Sequence, residues 1–276
     1  MNILGIDFTS RPGGGKPLVC LACELLGDTL TTRTLHKWTS FAQFEQALAQ
    51  PGPWVAGIDF PFGQSRKFIR NIGWPEAWAD YVGQVAGMSR ERFRQVMIDY
   101  RRGRPPGDKE HKRQTEKIAR AFSAQKIERP PVGLMFFEGA PRLRRAGVTI
   151  PGLQQGDPGR IVIEAFPSVV ARQFIARRSY KHDSKSEQSI ERRMAREELL
   201  AGILGKNLQA VYGVQVKPGD LNPETFADDP SGDTLDALCC AIQAAWSWQN
   251  RHQNFGIPKT FNPTEGWIVD PTLGVD

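Results

Sequence analysis

Gly5-Ile6-Asp7-Phe8 occurs a second time in the chain, as Gly57-Ile58-Asp59-Phe60. In both copies a short run rich in β-branched residues stops at an aspartate, which is typical of a buried strand with a carboxylate at its C-terminal end. A third run, Ile161-Val162-Ile163-Glu164, ends in the same way. Ligands of open α/β sheets bind at this end of the strands. We therefore expect the three acids to lie at one edge of a sheet.

The order of the predicted elements indicates the fold class. Strands are predicted at residues 2–6, 18–26 and 30–38, a helix at 41–49 and a fourth strand at 54–58. This order predicts an α/β protein with a mixed sheet, in which the first three strands are antiparallel and the core is β-β-β-α-β. The strands that end at Asp7 and Asp59 are then free to become neighbours.

The turn between the first two strands is rich in glycine but lacks the sequence of a nucleotide-binding loop. A Walker A motif would need glycine at Ser10 and serine or threonine at Pro17. A dinucleotide-binding loop would lead into a helix, whereas a strand is predicted here. We therefore interpret residues 10–17 as the turn of a β-hairpin.

The middle of the chain differs from its flanks in charge and in pattern. Residues 63–157 contain 19 Lys and Arg against 10 Asp and Glu (+9), and the remainder contains 17 against 20 (−3), which together give the net charge of +6. Helices are predicted at residues 74–85, 90–100 and 110–124, followed by an apolar, turn-rich stretch at 130–142. We interpret this segment as a mainly helical, basic insertion in a single domain of residues 1–276. It is expected to cover the edge where the acids lie.

A basic insertion is typical of a protein that binds a polyanion such as nucleic acid, although a solvated helical face would show the same charge. The aromatic side chains of the insertion could stack on bases, or they could form its own core. These residues are Trp74, Trp78, Tyr81, Phe93 and Tyr100. The sequence leaves both alternatives open.

The sequence predicts a cytoplasmic protein with no membrane span. No apolar run approaches 18 residues, and the chain enters its first strand without a signal-peptide pattern. Four cysteines fit a reducing compartment. Cys20 and Cys23 are an odd number of residues apart in a predicted strand, so their thiols should point to opposite faces. Cys239 and Cys240 are adjacent on a helix, and we expect small buried side chains rather than a zinc or redox site.

The C-terminal part contributes a fifth strand and the last helices. The strand is predicted at residues 160–165 and a helix at 169–177. Ser184-Lys185-Ser186-Glu187 has the spacing of a capping box, which predicts a helix from there to about residue 204. Its inward-facing residues should be Ile190, Met194, Leu199, Leu200 and Ile203.

Asp233 and Asp236 stand three residues apart at the start of the final predicted helix, so both can project from one side of it. Taken alone, they fit an N-cap and a residue favoured by the helix dipole. Together with Asp7, Asp59 and Glu164 they form an all-carboxylate set, which suits a pair of Mg²⁺ or Mn²⁺ ions. We predict Asp7, Asp59, Asp233 and Asp236 as metal ligands.

Several phrases of the chain resemble a prokaryotic family that is catalogued as a domain of unknown function and is expected to contain nucleases of RNase H-like fold. They are Gly57-Ile58-Asp59-Phe60-Pro61-Phe62, Pro131-Val132-Gly133-Leu134, Glu138-Gly139-Ala140-Pro141-Arg142, Glu164-Ala165-Phe166-Pro167-Ser168, Asp233-Thr234-Leu235-Asp236-Ala237 and Glu265-Gly266-Trp267. The element order and the acid pair on the last helix are similar to those of the RNase H-like superfamily, including the Holliday-junction resolvases.

The resemblance implies a role for each acid. Asp7 takes the place of the superfamily's first-strand aspartate that bridges two metal ions, and Asp59 that of its fourth-strand acid, often a glutamate. Asp236 takes the place of the last-helix acid, with Asp233 as a helper. Glu164 lies on a strand where the superfamily has no fixed ligand, and we include it among the catalytic residues. Lys16 and Arg142 are predicted to bind the scissile phosphate.

These observations support a divalent-metal-dependent nuclease, in which a metal-activated water hydrolyses a phosphodiester bond and the basic insertion holds the strand. One alternative is a phosphotransferase or ATPase of the actin and sugar-kinase type. Those proteins need a second lobe and a second glycine-rich loop, and only isolated glycines follow residue 157 up to the last helix. The other alternative is a non-catalytic nucleic-acid-binding protein that retains an acid cluster.

Overall fold

The computed structural model describes residues 1–182 and 188–274. The described residues form seven strands, which are β1 (Asn2–Asp7), β2 (Leu18–Leu26), β3 (Thr29–Trp38), β4 (Trp54–Ile58), β5 (Val148–Thr149), β6 (Asp157–Glu164) and β7 (Gln215–Lys217). They make one mixed sheet in the order β5-β6-β4-β1-β2-β3-β7. Strand β2 is antiparallel to β1 and β3, whereas β1, β4 and β6 are parallel to one another. The predicted mixed α/β architecture is confirmed, and the strand predicted as the fifth is β6.

One face of the sheet is covered by α1 and by the helices of residues 63–157. They are α1 (Phe41–Leu48), α2 (Arg66–Asn71), α3 (Trp78–Ala86), α4 (Arg90–Arg101), α5 (Gln114–Ile118) and α6 (Val132–Ala146). Apolar side chains of α1, α2, α3, α4 and α6 form one core with sheet residues such as Ile6, Ile58 and Val162. The aromatic residues singled out in the sequence belong to this core and are buried, so they are not available to stack on bases.

Two predictions for the insertion are wrong. The helix predicted at 110–124 shrinks to α5, because Arg120 adopts left-handed backbone (φ 52°) and the chain then folds back. The Ala124 N–H donates to the Glu116 carboxylate (3.0 Å), which fixes this return. The stretch predicted as turn-rich is instead the start of α6, because packing overrides the low helix propensity of its Gly and Pro residues. A Cβ at Gly139 would lie 2.4 Å from the Phe60 ring, so only glycine allows this approach.

The opposite face carries the C-terminal helices. They are α7 (Pro167–Ile175), α8 (Ile190–Leu204), α9 (Lys206–Tyr212), α10 (Glu224–Ala227) and α11 (Asp233–Gln249), followed by two short 3-10 helices, Arg251–Gly256 and Pro271–Leu273. The predicted capping box at residues 184–187 lies outside the described residues. Helix α8 buries Leu199, Leu200 and Ile203 as expected, but Ile190 and Met194 are 76% and 59% exposed. The N-terminal part of α8 therefore does not face the core.

Helix α11 packs unusually close to the sheet, because glycines face it. A Cβ at Gly5 would lie 1.9 Å from the Ala237 carbonyl oxygen, and one at Gly57 would lie 2.3 Å from that of Cys240. Side chains two residues apart in a strand point to the same face. In each Gly-Ile-Asp copy, the glycine thus allows α11 to pack closely against the strand. The aspartate two residues later points toward the same helix.

The remaining sequence expectations concern the cysteines and the membrane. Cys20 lies in the core on the insertion side of the sheet and Cys23 in the core on the α11 side, as the strand pattern predicts. All four cysteines are buried free thiols. Among the described residues, no helix is both long and apolar enough to cross a membrane.

Candidate metal centre

Three of the predicted acids meet at the C-terminal edge of the sheet. Asp7 ends β1, Asp59 directly follows β4, and Asp236 lies in the first turn of α11. One carboxylate oxygen from each can be chosen so that all three lie within 4.8 Å of one another. Asp7 and Asp236 are buried, and Asp59 is half-buried. We call these three residues the carboxylate triad.

The start of α11 explains why its aspartates can face the triad. The N-cap is Gly232, with left-handed backbone (φ 73°), and not Asp233. The capping carboxylate belongs to Asp229, which accepts hydrogen bonds from the N–H (2.9 Å) and the hydroxyl (2.8 Å) of Thr234. The interpretation of Asp233 as the N-cap is therefore wrong, and neither Asp233 nor Asp236 is used to cap the helix.

Burial and repulsion by neighbouring acids raise the pKa values of Asp7 and Asp59. Burial raises the pKa of Asp7 well above its usual range, and the charges of Asp233 and Asp236 raise it further. Burial, together with the charge of Asp236, raises the pKa of Asp59 to about 7. Close carboxylates disfavour each other's ionisation unless a cation compensates them. A positive charge at this edge would therefore favour the ionised forms of the acids.

Lys181 supplies part of that compensation. Its ammonium group donates to the Asp236 carboxylate, to which the Tyr180 hydroxyl also donates. Burial opposes the charged form of Lys181, but the charges of Asp236 and Asp7 outweigh it and raise its pKa. The sequence analysis missed both residues, because the segment after α7 has no periodic pattern and no fixed spacing to the acids.

Lys16 and Asp233 lie beside the triad. The turn between β1 and β2 is a tight hairpin, as predicted, in which the N–H of Gly13 donates to the Lys16 carbonyl oxygen (3.1 Å). This turn brings the Lys16 ammonium group to 3.5 Å from the Asp233 carboxylate. Both residues line a cavity of about 720 Å³ together with Asp7, Asp59 and Lys181. The structure therefore places Lys16 at the mouth of the acidic site.

Glu164 lies at the same sheet edge but points to the opposite face. Strand β6 pairs with β4 so that Glu164 is level with Ile58, one residue before Asp59. Because side chains alternate along a strand, this offset directs Glu164 to the insertion side. There its two oxygens accept from the Arg113 guanidinium (2.6 and 2.8 Å) and from the Phe62 N–H (2.9 Å). The structure pairs Glu164 with a cation and does not bring it into the triad.

Arg113 is buried and belongs to a network that closes this side of the sheet. Besides Glu164, it pairs with Glu116 (2.7 Å) and donates to the carbonyl oxygen of Glu265 (2.8 Å). The Glu265 carboxylate accepts from the N–H groups of Arg66 and Gln114, both at 2.9 Å. The C-terminal segment that begins at Glu265 thus links the insertion to β6 through these hydrogen bonds.

Arg142 is engaged on the α1 side of the protein. It pairs with Glu138 (2.8 Å) and Glu45 (3.0 Å), and its guanidinium lies 3.9 Å from the centre of the Phe41 ring. It is not among the described residues that line the acidic cavity. The prediction that it binds the scissile phosphate is not supported by this position.

A second cavity, of about 780 Å³, adjoins the acidic one and shares Lys16 and Arg129 with it. We call it the basic groove, and its other lining cations are Arg11, Arg90, Arg94 and Lys126. Arg90 is anchored by the Glu138 carboxylate (2.6 Å) and the Ser10 carbonyl oxygen (2.8 Å). The groove therefore lies between the insertion and the turn that follows β1.

The fold and the site define an α/β protein with a carboxylate cluster at the ends of adjacent parallel strands. The model of a family described as a protein of unknown function, DUF429, matches residues 5–259. The chain therefore belongs to the DUF429 family. No curated protein and no solved structure matches it.

Proposed function

We propose that the protein is a divalent-metal-dependent nuclease with an RNase H-like core. The observation that carries the proposal is the carboxylate triad, in which oxygens of Asp7, Asp59 and Asp236 come within 4.8 Å of one another. The acids come from two adjacent parallel strands and the helix that crosses them, which is the arrangement that the sequence resemblance implies.

The side chains of the triad suit Mg²⁺ or Mn²⁺. Carboxylate oxygens are the ligands of hard divalent cations, and the cluster consists of aspartates alone. Burial and the charges of neighbouring acids raise the pKa values of Asp7 and Asp59, and a bound cation would favour their ionised forms. When bound, such an ion acts as a Lewis acid that activates water and compensates the charge of a phosphoryl group. A second ion would draw on Asp233 at the rim of the cavity.

The chain's own cations position the substrate at this site. Lys16 and Lys181 both line the acidic cavity, where an ammonium group can bind a phosphate oxygen of the strand. Lys181 also contacts Asp236, so it balances the triad before a metal ion is bound. Residues of the hairpin turn and of the segment before α6 form the walls of the cavity.

The basic groove favours nucleic acid as the substrate. Within residues 1–182 and 188–274, no ion pair satisfies Arg11, Arg94 or Arg129, which come from three separate segments of the chain. Such cations bind the phosphates of a strand without reading its bases. The residues that line the groove include no aromatic side chain, which supports recognition of the backbone alone.

Cleavage of labelled single-stranded DNA and RNA oligonucleotides in Mn²⁺ tests the proposal. We expect activity in the wild-type protein and a loss of at least about a hundredfold in Asp7→Asn, since even residues that only orient metal ligands are worth about 10–100-fold. Asp157→Asn is a matched control, because it removes an exposed carboxylate on β6. Equal cleavage by Asp7→Asn and wild type, or no cleavage by purified wild type in Mn²⁺ or Mg²⁺, would refute the proposal.

The groove is tested separately from the chemistry by binding in a chelator. The double variant Arg94→Gln/Arg129→Gln should weaken oligonucleotide binding. It should also reduce the dependence of log K on log salt by about 1 for each phosphate that the variant no longer neutralises. Unchanged affinity and unchanged salt dependence would show that the strand does not follow this groove.

A further inference from the structure

A third cavity, of about 490 Å³, lies against α7, and arginines form its charged lining. It is lined by Arg120, Arg172, Arg177 and Arg178, and no Asp or Glu is among its lining residues. We call it the arginine pocket. It has no lining residue in common with the acidic cavity or the basic groove. Its lining also includes Tyr180, whose hydroxyl donates to Asp236 of the triad, so the pocket borders the proposed nuclease site.

The pocket has a small-residue floor and a charged rim. Ser168, Ala171 and Ala176 lie along α7 or at its end, and their short side chains leave space above the helix. Ser168 and Ala176 are eight residues apart, which corresponds to about 12 Å of helix. A volume of about 490 Å³ lies within the range of small-molecule sites, about 300–1,000 Å³. The space therefore suits a ligand of nucleotide size.

The rim concentrates positive charge from two parts of the chain. Arg172 is half-buried, and its guanidinium donates to the Ala119 carbonyl oxygen (2.7 Å), which holds it in place. Burial lowers the pKa of Arg172, and the charges of Arg120 and Arg177 lower it further. The helix dipole favours cations near the C-terminal end of α7, which accounts for the arginines of that segment. It does not account for Arg120, which belongs to the segment that follows α5. An anion between these guanidinium groups would remove their mutual repulsion.

Within residues 1–182 and 188–274, two of the rim arginines have no ion-pair partner. Arg178 pairs with Glu198, whereas in the described part of the chain Arg120 and Arg177 form no ion pair. The backbone brings the rim together at two positions of left-handed conformation, Arg120 (φ 52°) and Ala176 (φ 53°). Non-glycine residues adopt this conformation rarely and at a cost, and such positions cluster at functional sites.

We propose that the arginine pocket binds a phosphate group of an anionic ligand of nucleotide size. Guanidinium groups bind phosphate oxygens in pairs through two parallel hydrogen bonds, which an ammonium group cannot do. The phosphate belongs either to a free nucleotide or to a nucleic-acid strand. The proposal rests on the arginines and not on the metal site, because no residue of the carboxylate triad lines the pocket and only Tyr180, among the described lining residues, contacts Asp236.

Calorimetric titration in a chelator tests the proposal, with inorganic phosphate, adenosine diphosphate and a single-stranded DNA oligonucleotide as probes. The test variant is Arg120→Gln/Arg177→Gln, which changes two exposed side chains. The matched control is Arg92→Gln/Lys217→Gln, which removes the same charge from exposed positions outside the pocket. Equal melting temperatures of the two variants in the chelator show that the fold is retained.

We expect the wild-type protein and the control to bind adenosine diphosphate, and the test variant to bind it at least about tenfold more weakly, the effect of removing one charge-assisted hydrogen bond. Asp7→Asn should bind the nucleotide as the wild type does. A weakening confined to the oligonucleotide would assign the phosphate to a strand. The proposal is overturned if the test variant binds every probe as the control does, or if the wild type binds none of them.

Discussion

Two acidic strand ends lie side by side in this sheet and differ in almost every property. Asp7 and Asp59, at the ends of β1 and β4, face α11 and have no arginine partner among the described residues. Glu164, at the end of the adjacent β6, faces the insertion and is bound by Arg113 through two hydrogen bonds. The first end is an acid cluster with raised pKa values, whereas the second is a buried ion pair.

The difference shows that the position of an acid at a strand end does not determine its role. A single-residue offset in the pairing of β4 and β6 sends Glu164 to the other face. There a buried cation neutralises it, and removal of either partner would leave a buried charge. On the α11 side, Gly5 and Gly57 allow the helix to pack closely against the strands, and this close packing brings the acids together. We expect the two ends to respond in opposite ways to substitution.

The largest effect on stability is expected at Glu164. Glu164→Gln removes the charge that neutralises Arg113 and places an amide donor against its N–H groups. Loss of one partner of a buried pair costs about 3–5 kcal/mol, a large part of the stability of a typical domain. Urea denaturation without metal measures the loss. The control Glu197→Gln, on the exposed face of α8, should unfold near the wild-type midpoint. Equal midpoints for the two variants would contradict a structural role for Glu164.

A smaller effect is expected where α11 contacts the sheet. Gly57→Ala places a methyl group 2.3 Å from the Cys240 carbonyl oxygen, so the helix must shift. Overpacking of this kind costs about 1–3 kcal/mol. The shift should also move Asp236 away from Asp59 and weaken metal binding.

Gly13→Ala provides the comparison for this variant. A Cβ at Gly13, in the hairpin turn, would meet no atom within 4 Å. We expect its stability and its metal affinity to match those of the wild type. If both alanine variants behaved alike, the close approach of α11 would not be what positions Asp236.

Per pH unit, the smallest expected effect is the pH dependence of stability that the triad contributes. The folded-state pKa of Asp59 is raised to about 7, so the folded protein binds this proton more tightly than the unfolded chain does. The corresponding stabilisation is present below the unfolded pKa, about 3.9, and is lost as the pH rises toward 7. For one group the slope is at most about 1.4 kcal/mol per pH unit.

Melting temperatures in a chelator between pH 4 and pH 8 measure this contribution as the difference between the wild type and Asp59→Asn. The wild type should lose stability relative to the variant as the pH rises, and saturating Mn²⁺ should reverse the trend because the metal binds the deprotonated acids. Parallel curves for the two proteins would show that the carboxyl group of Asp59 is not perturbed.

Much of the core architecture follows from local patterns in the sequence. The alternation of short apolar runs and turns predicts β1 to β4 and α1, and the repeated Gly-Ile-Asp places two acids at neighbouring strand ends. The spacing of Asp233 and Asp236 adds the acids of α11. These signals are enough to anticipate the three members of the triad.

The rest depends on contacts between distant segments. The face that Glu164 occupies is set by the register between β4 and β6, which neither strand encodes alone. Lys181 reaches Asp236 across 55 residues without a recognisable motif. The helical state of α6 depends on the Phe60 ring that packs on Gly139, a contact that local propensity does not anticipate.

Metal binding to the triad is the central claim, and calorimetric titration of Mn²⁺ and Mg²⁺ into three proteins tests it most directly. They are the wild type, Asp7→Asn and the matched control Asp157→Asn. We expect one or two ions to bind the wild type and the control, and none to bind Asp7→Asn, whose metal-free stability should equal or exceed that of the wild type because a repelling charge is removed. Binding to Asp7→Asn with unchanged affinity, or no binding to the wild type, would contradict the claim.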